Sequence, residues 1–587
     1  SASQVVNAGD PDREGQLLVD ELLEHFNNKK PVIRYWSNAI DSVSVKRALA
    51  SMKDNQEYHG FADAAEGRGK ADWLIVMNLS RAYTLRAQRG GSRALLTVGR
   101  VQTPTLALVV TRDREIESFK AVPFHTIRAE IQHPNGAFWA SWKAKEDQAG
   151  LDAEGRLVDT AVANALVESL TGKPGSISEY KQEAKKQNHP LTFSLSDMTA
   201  LASKRFGYSA EDVLKTCQSL YETHKLTTYP RTDCAYLPES QFADAPDVLA
   251  AVKAVNPALA SIVDGADTSI RSRTWNDKKV SAHHGIIPTM HKGDLNKLND
   301  KERNIYDLVV RAYLAQFYPI HEFMSTTVAV DVEGETFSAK GKVVTKSGWH
   351  DVYLDNSDED EGDQDDESQS LPKMGQGDAI TCGQAARRDA KTKPPARFTE
   401  GTLITAMVNI HRFVTDPQHK KMLREGDGIG TEATRASIIS ELKRREYLET
   451  KGKQIISTTL GRSMIDALPE VVKSPVLTAL YERMLQSVES GKTELAAFIT
   501  KQEAFIRDQV AKANDGAVSI AGGKEAAPVS DVFKCMSCGA GLSRRPLPKK
   551  KGHFWWGCSN YPTCKQTYPD VKGRPNYSKG RNNTDKE

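Results

Sequence analysis

The stretch Glu222 to Pro238, ETHKLTTYPRTDCAYLP, leaves a helical pattern and runs into an extended segment stiffened by Pro230. A proline disfavours helical geometry in the residue before it, so Tyr229 is extended and can point to the same side as Arg231. A phenol with a free pKa of about 10 is a weak nucleophile at neutral pH. A neighbouring cation helps it, and Arg231 supplies a guanidinium fork that suits phosphate. The pair fits attack on a phosphodiester, although Tyr-Pro-Arg alone fits a structural tyrosine better. Upstream, Asp197 to Glu222 reads as two amphipathic helices broken at Gly207. Helix, turn, helix, strand is winged-helix-like texture.

Other segments extend this to an α+β multidomain chain. With 587 residues, the chain is too long for one core. Val5 and Val6, a Gly-Asp-Pro turn and a helix with Leu17, Leu18, Leu22 and Leu23 on one side give strand-to-helix α/β texture. Residues 61–116 look helical around RGGSRALLTVGRVQTPT. Strand-like alternation fills 122–180 and 326–353, and 432–459 reads as a helix and hairpin with Ile438, Ile439 and Leu442 as its core. Residues 514–528 read as a linker and 578–587 as a disordered tail. No apolar run spans a bilayer, and the first residues lack the basic and apolar regions of a signal peptide, which points to the cytosol.

Charge is unevenly spread. The net is +3, but residues 355–368 carry nine acids and no base, which suits a solvated loop. From Phe533 onward, twelve Lys and Arg face three acids. Such a basic end fits a polyanion partner or a solvated tail.

Three motifs bear on chemistry. GDPDREG sets Asp10, Asp12 and Glu14 at alternate positions after a strand. Converging carboxylates are tolerable around a hard divalent cation such as Mg²⁺, though the bare motif fits a solvated, helix-capping acidic turn better. SAHHGIIPT offers His283 and His284 for donation to phosphate, or as packed histidines. GRVQTPT and DGIGTEATR join glycine turns to Arg100, Thr431, Thr434 and Arg435, residues suited to phosphate contacts.

Of seven cysteines, Cys217, Cys234 and Cys382 are scattered and read as buried thiols. Cys535, Cys538, Cys558 and Cys564 form C-x2-C and C-x5-C pairs nineteen residues apart, the donor set of a tetrahedral Zn²⁺ site. Phe554, Trp555, Trp556, Tyr561 and Tyr568 interleave with Lys549, Lys550, Lys551 and Lys565. Rings that stack on bases and cations that track a backbone suit single-stranded nucleic acid, though the rings also suit the module's own core.

In order, AGDPDREGQLLVDE, ADWLIVMNLSRAYT, TVGRVQTPTL, LYETHKLTTYPRTD, SAHHGIIPT and GIGTEATRASII resemble the motifs of type IA DNA topoisomerases, most closely the bacterial topoisomerase III branch. The resemblance runs from about Val5 to Pro469. It implies a toroidal architecture around a Toprim domain, with helical and winged-helix-like domains, a β-rich gate and a C-terminal zinc ribbon. The implied division is a partial Toprim domain at 1–57, a helical DNA-binding domain at 58–120 and 394–513, and a β-rich gate at 121–190 and 311–393. A winged-helix-like domain with the tyrosine follows at 191–310, then a linker at 514–530, the zinc ribbon at 531–570 and a basic tail at 571–587. The family's Toprim domain begins with a further strand bearing a Glu-Lys-Pro-type motif, and no such motif precedes Asp10 here; hence the expectation of a partial domain.

The implied activity is ATP-independent: Tyr229 forms a 5′-phosphotyrosyl link to one cut DNA strand, another strand passes, and the cut is resealed, giving relaxation and decatenation. Arg231 and His283 would assist at the phosphate, and Asp10, Asp12 and Glu14 would hold Mg²⁺. Arg68, Asp72, Arg81, Arg100, Gln102 and Thr103 match positions near bound single-stranded DNA. The implied partners are single-stranded and underwound duplex DNA, with a RecQ-type helicase or single-strand binding protein, in a bacterial cytoplasm at the nucleoid or a plasmid. The charged stretch Lys143 to Arg156 is a candidate unlinking loop or an ordinary hairpin loop. Two other readings are a truncated, non-catalytic single-strand binding protein and a nuclease or primase using the acids alone, which leaves Tyr229 unexplained.

Overall fold

The computed structural model describes residues 2–36, 42–92, 94–280, 283–356, 369–424, 428–522, 528–547, 552–561 and 563–582. Most of the acidic run, Lys549 to Lys551 and the last five residues lie outside these.

Strand β1 (Val5–Asn7) ends at Gly9, where a Cβ would sit 2.3 Å from the Gly15 carbonyl oxygen, so the turn closes tightly on helix α1 (Arg13–His25). β1 pairs in parallel with β2 (Val32–Arg34); after α2 (Ser42–Ala50), β2 pairs antiparallel with the short β3 (Lys53–Asp54). The expected leucine face of α1 is not a buried stripe. Leu18 and Leu22 are exposed, and α1 buries Gly15 and Gln16 instead. The reason is polar: Gln16 and the buried Asn7 both donate to the Asn55 side chain, which in turn donates to Asp20.

Helix α3 (His59–Arg89) packs against α1, and α4 (Gln102–Ser118) follows a non-helical crossing described at 90–92 and 94–101. The chain then enters β4 (Pro123–His133) and β5 (Gly136–Lys143). It continues through α5 (Thr160–Leu170), a helix inside the region read as strands, into β6 (Pro174–Gln187). The candidate loop after Lys143 is a run of turns closed by an Asp152–Arg156 ion pair.

A tyrosine-bearing unit comes next: α6 (Leu195–Phe206), α7 (Ala210–Glu222), α8 (Ala245–Val255), α9 (Ala260–Asp264) and α10 (Asp300–Leu314). Gly207, at φ 70°, ends α6 in the left-handed region that favours glycine. The predicted strand through Thr227 is only an extended run with single bridges, Thr227 to Pro288 and Phe193 to Ile286.

β7 (His321–Val332), β8 (Glu335–Lys346) and β9 (Ala379–Lys391) return to the first three long strands and close a six-stranded barrel in the order β4-β5-β8-β7-β6-β9. The last helical stretch holds α11 (Glu400–Val408), α12 (Pro417–Arg424), α13 (Glu432–Arg444), the hairpin β10 (Leu448–Lys451) and β11 (Gln454–Ser457), α14 (Thr459–Ala467), α15 (Glu470–Lys473), α16 (Val476–Glu489) and α17 (Leu495–Asn514). These share one apolar core with α3 and α4, to which Ile439 and Leu442 belong. The first part of the expected linker joins this core through Ile520, and Gly90 lies so close to it that a Cβ would meet the Val518 carbonyl oxygen at 2.1 Å. A terminal sheet is built on β12 (Val529–Lys534), β13 (Gly541–Pro546), β14 (Phe554–Cys558) and β15 (Gln566–Val571).

Candidate active site

Tyr229 is half-buried where the tyrosine-bearing unit meets the acidic turn. Burial pushes its phenol above the ordinary value; Arg231 pulls it down, and the Asp10 and Asp12 carboxylates push it up. Those carboxylates therefore act electrostatically on a residue far along the chain. The His283 ring lies 4.6 Å from the Tyr229 ring, and Tyr221 meets it edge-on at 5.6 Å.

The loop is fastened by its flanking threonines. Thr228 N–H donates to the Ile287 carbonyl, and Ile287 N–H donates back to the Thr228 hydroxyl. The buried Thr232 hydroxyl donates to the His283 carbonyl and accepts from Cys234 N–H. These bonds fix the Tyr229 and His283 backbones relative to each other. His284 does not join them: it is buried, with Nδ1 on the Gly285 carbonyl and Nε2 beside the Gln241 amide.

The acidic turn rests on Arg34, which is fully buried. Its guanidinium donates to the carbonyls of Asn7, Gly9 and Tyr35 at 3.1, 2.8 and 2.8 Å and to that of Asp10 at 2.6 Å. Burial lowers its pKa, against the pull of Tyr58, Asp20, Asp12 and Asp10. A buried cation thus sits under a turn that displays carboxylates, offsetting their repulsion.

The three acids do not converge on one point. Asp12 caps α1 by accepting from Gly15 N–H at 2.7 Å, Glu14 pairs with Arg68 at 2.9 Å, and Asp10 is exposed. Among the described residues, only the four terminal cysteines form a metal-sized cluster. The donor set still fits a hard cation: three oxygen ligands on one turn, with one Asp12 oxygen used by the cap and one Glu14 oxygen by Arg68. The second Glu14 oxygen is not used by Arg68 in that pair.

Several residues expected at DNA are committed elsewhere. Arg100 is buried, donating to Asp72 at 2.8 Å and Glu482 at 3.0 Å, so it joins α3, α4 and α16 and its charge is spent inside the protein. Asp72 is occupied by the same pair. Thr103 is fully buried and accepts from Gly99 N–H, fixing the start of α4. Gln102 is half-buried, within 3.4 Å of the Thr97 hydroxyl. Arg435 is buried against Glu432, while Thr434 is exposed and closes a capping box with Thr431. Arg68 is drawn to Glu14, and Arg81 is exposed.

The sequence reading passed over Trp73 and Met77. Both are exposed, and with Arg81 they stand at four-residue spacing along α3. The signal was in ADWLIVMNLSR, which is apolar on more faces than one core needs.

In the terminal sheet the four sulfurs face one another, with Cys538 and Cys558 at 3.3 Å and Cys535 and Cys564 at 3.7 Å. Tetrahedral Zn–S bonds of about 2.3 Å put sulfurs about 3.8 Å apart, so the quartet fits zinc. Trp556 and Tyr568 are core, not base-stacking rings: Trp556 donates to Asp570 and Tyr568 accepts from Met536 N–H. Tyr561 is exposed, and Phe554 and Trp555 are half-buried under Arg544 and Arg545.

A family model described as DNA topoisomerase matches residues 56–500. DNA topoisomerase 3 of Vibrio cholerae serotype O1 is 42% identical over 501 residues, which is 84% of this chain and 77% of that protein. DNA topoisomerase 3 of Bacillus subtilis is 37% identical over 512 residues, 86% of this chain and 68% of that protein. The solved full-length topoisomerase I from Thermotoga maritima shares the fold with a TM-score of 0.62 at 22% identity, covering 98% of this chain and 86% of that one. No helix among the described residues is long and apolar enough to cross a membrane.

Arg34→Ala should lower stability by about 3 kcal/mol, because four carbonyls lose a buried donor; chemical denaturation measures it, and a loss within about 0.5 kcal/mol would refute the account. Metal analysis should find close to one zinc per chain. Chelation should then change the emission of Trp556 as the terminal sheet opens.

Proposed function

The chain belongs to the DNA topoisomerase family and is a type IA DNA topoisomerase; we propose that Tyr229 is the nucleophile with which it cuts one DNA strand. The observation that carries this reading is the half-buried Tyr229 ring packed 4.6 Å from the His283 ring on a loop tied by Thr228 and Thr232, with the acidic turn near enough to raise the phenol pKa. The phenol oxygen attacks the phosphorus and forms a 5′-phosphotyrosyl ester. The bond to the 3′ oxygen breaks, the phenol gives up its proton, and the leaving 3′ oxygen ends as a hydroxyl. Religation is the reverse: the 3′ hydroxyl attacks the same phosphorus and expels the tyrosine. The ester stores the energy of the broken bond, so no nucleotide is consumed.

With its pKa raised, the phenol is protonated at neutral pH, so loss of its proton accompanies attack. Arg231 is exposed beside it and presents its fork to the phosphate oxygens, where charge builds in the transition state. His283 donates to a phosphate oxygen. Asp10, Asp12 and Glu14 would hold Mg²⁺, which supplies positive charge against the DNA backbone when bound.

Trp73, Met77 and Arg81 suit a single strand along α3, with rings and apolar contacts for bases and a cation for phosphate. Tyr561, Trp555 and Phe554 add a second grip in the terminal module. The barrel and the tyrosine-bearing unit together act as the gate of a toroidal molecule. Single strands exposed by a RecQ-type helicase or held by a single-strand binding protein suit this site, which places the work at a nucleoid or plasmid. The non-catalytic alternative is not favoured: the similar proteins are named as topoisomerases, and a pure binder has no use for a phenol beside two carboxylates.

Tyr229→Phe should reduce the covalent protein–DNA adduct on a single-stranded oligonucleotide by a thousandfold or more, roughly the loss of a nucleophile, with binding preserved. An adduct at parental level in that variant would overturn the assignment. Arg231→Ala should slow cleavage by about a hundredfold, measured by single-turnover adduct formation.

A further inference from the structure

The tyrosine-bearing unit touches the helical core where α6 packs closely on α11, with Gly401 against Ala200 and Ser203, and through a set of polar contacts beside that crossing. The two apolar cores stay separate, and only Ala210 of the tyrosine-bearing unit joins the helical one. At the seam, Ser196 in the first turn of α6 donates to Glu432 Oε2 at 2.6 Å, and Arg435 Nη1 donates to the Ser196 hydroxyl at 3.2 Å. Arg435 also pairs with Glu432 Oε1 and donates to the Ile429 carbonyl at 3.2 Å. Both side chains of that pair are nearly covered, at 4% and 11% exposure. A second set lies alongside: Glu400 accepts from Ala210 N–H at the start of α7 and pairs with Lys443, and Ser440 donates to Glu211 at 3.1 Å.

Ser196 is one residue from the catalytic loop's anchor. Leu195 N–H donates to the Thr232 carbonyl at 2.9 Å, and the Thr232 hydroxyl donates to the His283 carbonyl at 3.3 Å. Asp233, next along the loop, lies near enough to push against the Glu432 charge. A short chain of contacts therefore joins α13 to the Tyr229–His283 pair.

We propose that Ser196, Glu432 and Arg435 form an interlock that positions the tyrosine loop and holds the gate shut. This rests on Tyr229 as the nucleophile. Because the two apolar clusters are separate, the small-residue crossing of α6 on α11 can part without opening either of them, and each polar partner can be taken up by water. An intact DNA strand bridges the gate and resists opening; a cleaved one does not. Weakening the interlock therefore favours the cleaved, open state selectively.

The test uses the full chain with Ser196→Ala, Glu432→Gln and the conservative Ser196→Thr. The first two should raise the equilibrium adduct fraction on a single-stranded oligonucleotide about tenfold and slow religation equally, about the worth of one charge-assisted hydrogen bond. Ser196→Thr should return both to the parental value. Amide hydrogen exchange at the starts of α6 and α13 should quicken in the first two variants and not in the third. Unchanged exchange, or faster exchange with an adduct fraction within twofold of the parent, overturns the interlock. Absence of adduct in the parent as well strikes the Tyr229 assignment instead, and the exchange difference then decides the interlock alone.

Discussion

The Tyr229 phenol is set by opposing influences brought together from distant parts of the chain: burial raises its pKa, Arg231 lowers it, and the Asp10 and Asp12 carboxylates add to the rise. For a phenol serving as the proposed nucleophile, two nearby negative charges are a poor setting. It becomes a good one when a polyanionic strand and positive charge enter between them. The surrounding structure meets that demand from both sides. Buried Arg34 holds the acidic turn by its carbonyls, leaving carboxylates outward, and Arg231 waits exposed on the opposite bank.

The same constraint explains why so little apolar surface joins the parts that carry the two banks. Parts that must meet for chemistry and separate for passage cannot share a core. The helical core, the core around α10 and the barrel core are three distinct clusters. Hydrogen bonds such as Ser196 to Glu432 and Ser440 to Glu211 cross the border between the first two, and ion pairs tie the acidic turn to the helical part. Arg13 makes these ion pairs, reaching Glu482 and Glu489 of α16.

The sequence made the chemistry legible more readily than the contacts. The family was readable from the order of motifs around Tyr229, Arg231 and the acidic turn, each of which alone also fits a structural reading. The cysteine quartet was readable because metal spacing is strict, and its four sulfurs do converge. Polar commitments were not readable. Arg100 and Arg435 look in sequence like phosphate binders, and each is spent on acids beyond its own motif or buried beside one within it. A motif records that an arginine is needed, not which anion it faces. Leu18 and Leu22 misled in the opposite sense, because periodicity assumes an apolar core and α1 packs on a polar one. Helix α5 was missed because its apolar run sits among strands of similar composition. Trp556 and Tyr568 show that composition cannot separate rings that build a small core from rings that meet a ligand.

The barrel has a mechanical consequence. A six-stranded ring closed at every seam has no edge from which to unzip, and bending it strains several hydrogen-bond ladders at once. It is stiff where an open sheet would be compliant. The two chain crossings that tie it to the helical part, after Phe119 and after Lys391, meet side by side: Val122 N–H donates to Thr392, and Thr392 N–H donates to the Val122 carbonyl. Paired tethers on a stiff ring behave like the leaf of a door hinge. They favour rotation about one line over torsion about the others, and the opposite end of the barrel, where Gln187 pairs with His321, leads into the tyrosine-bearing unit.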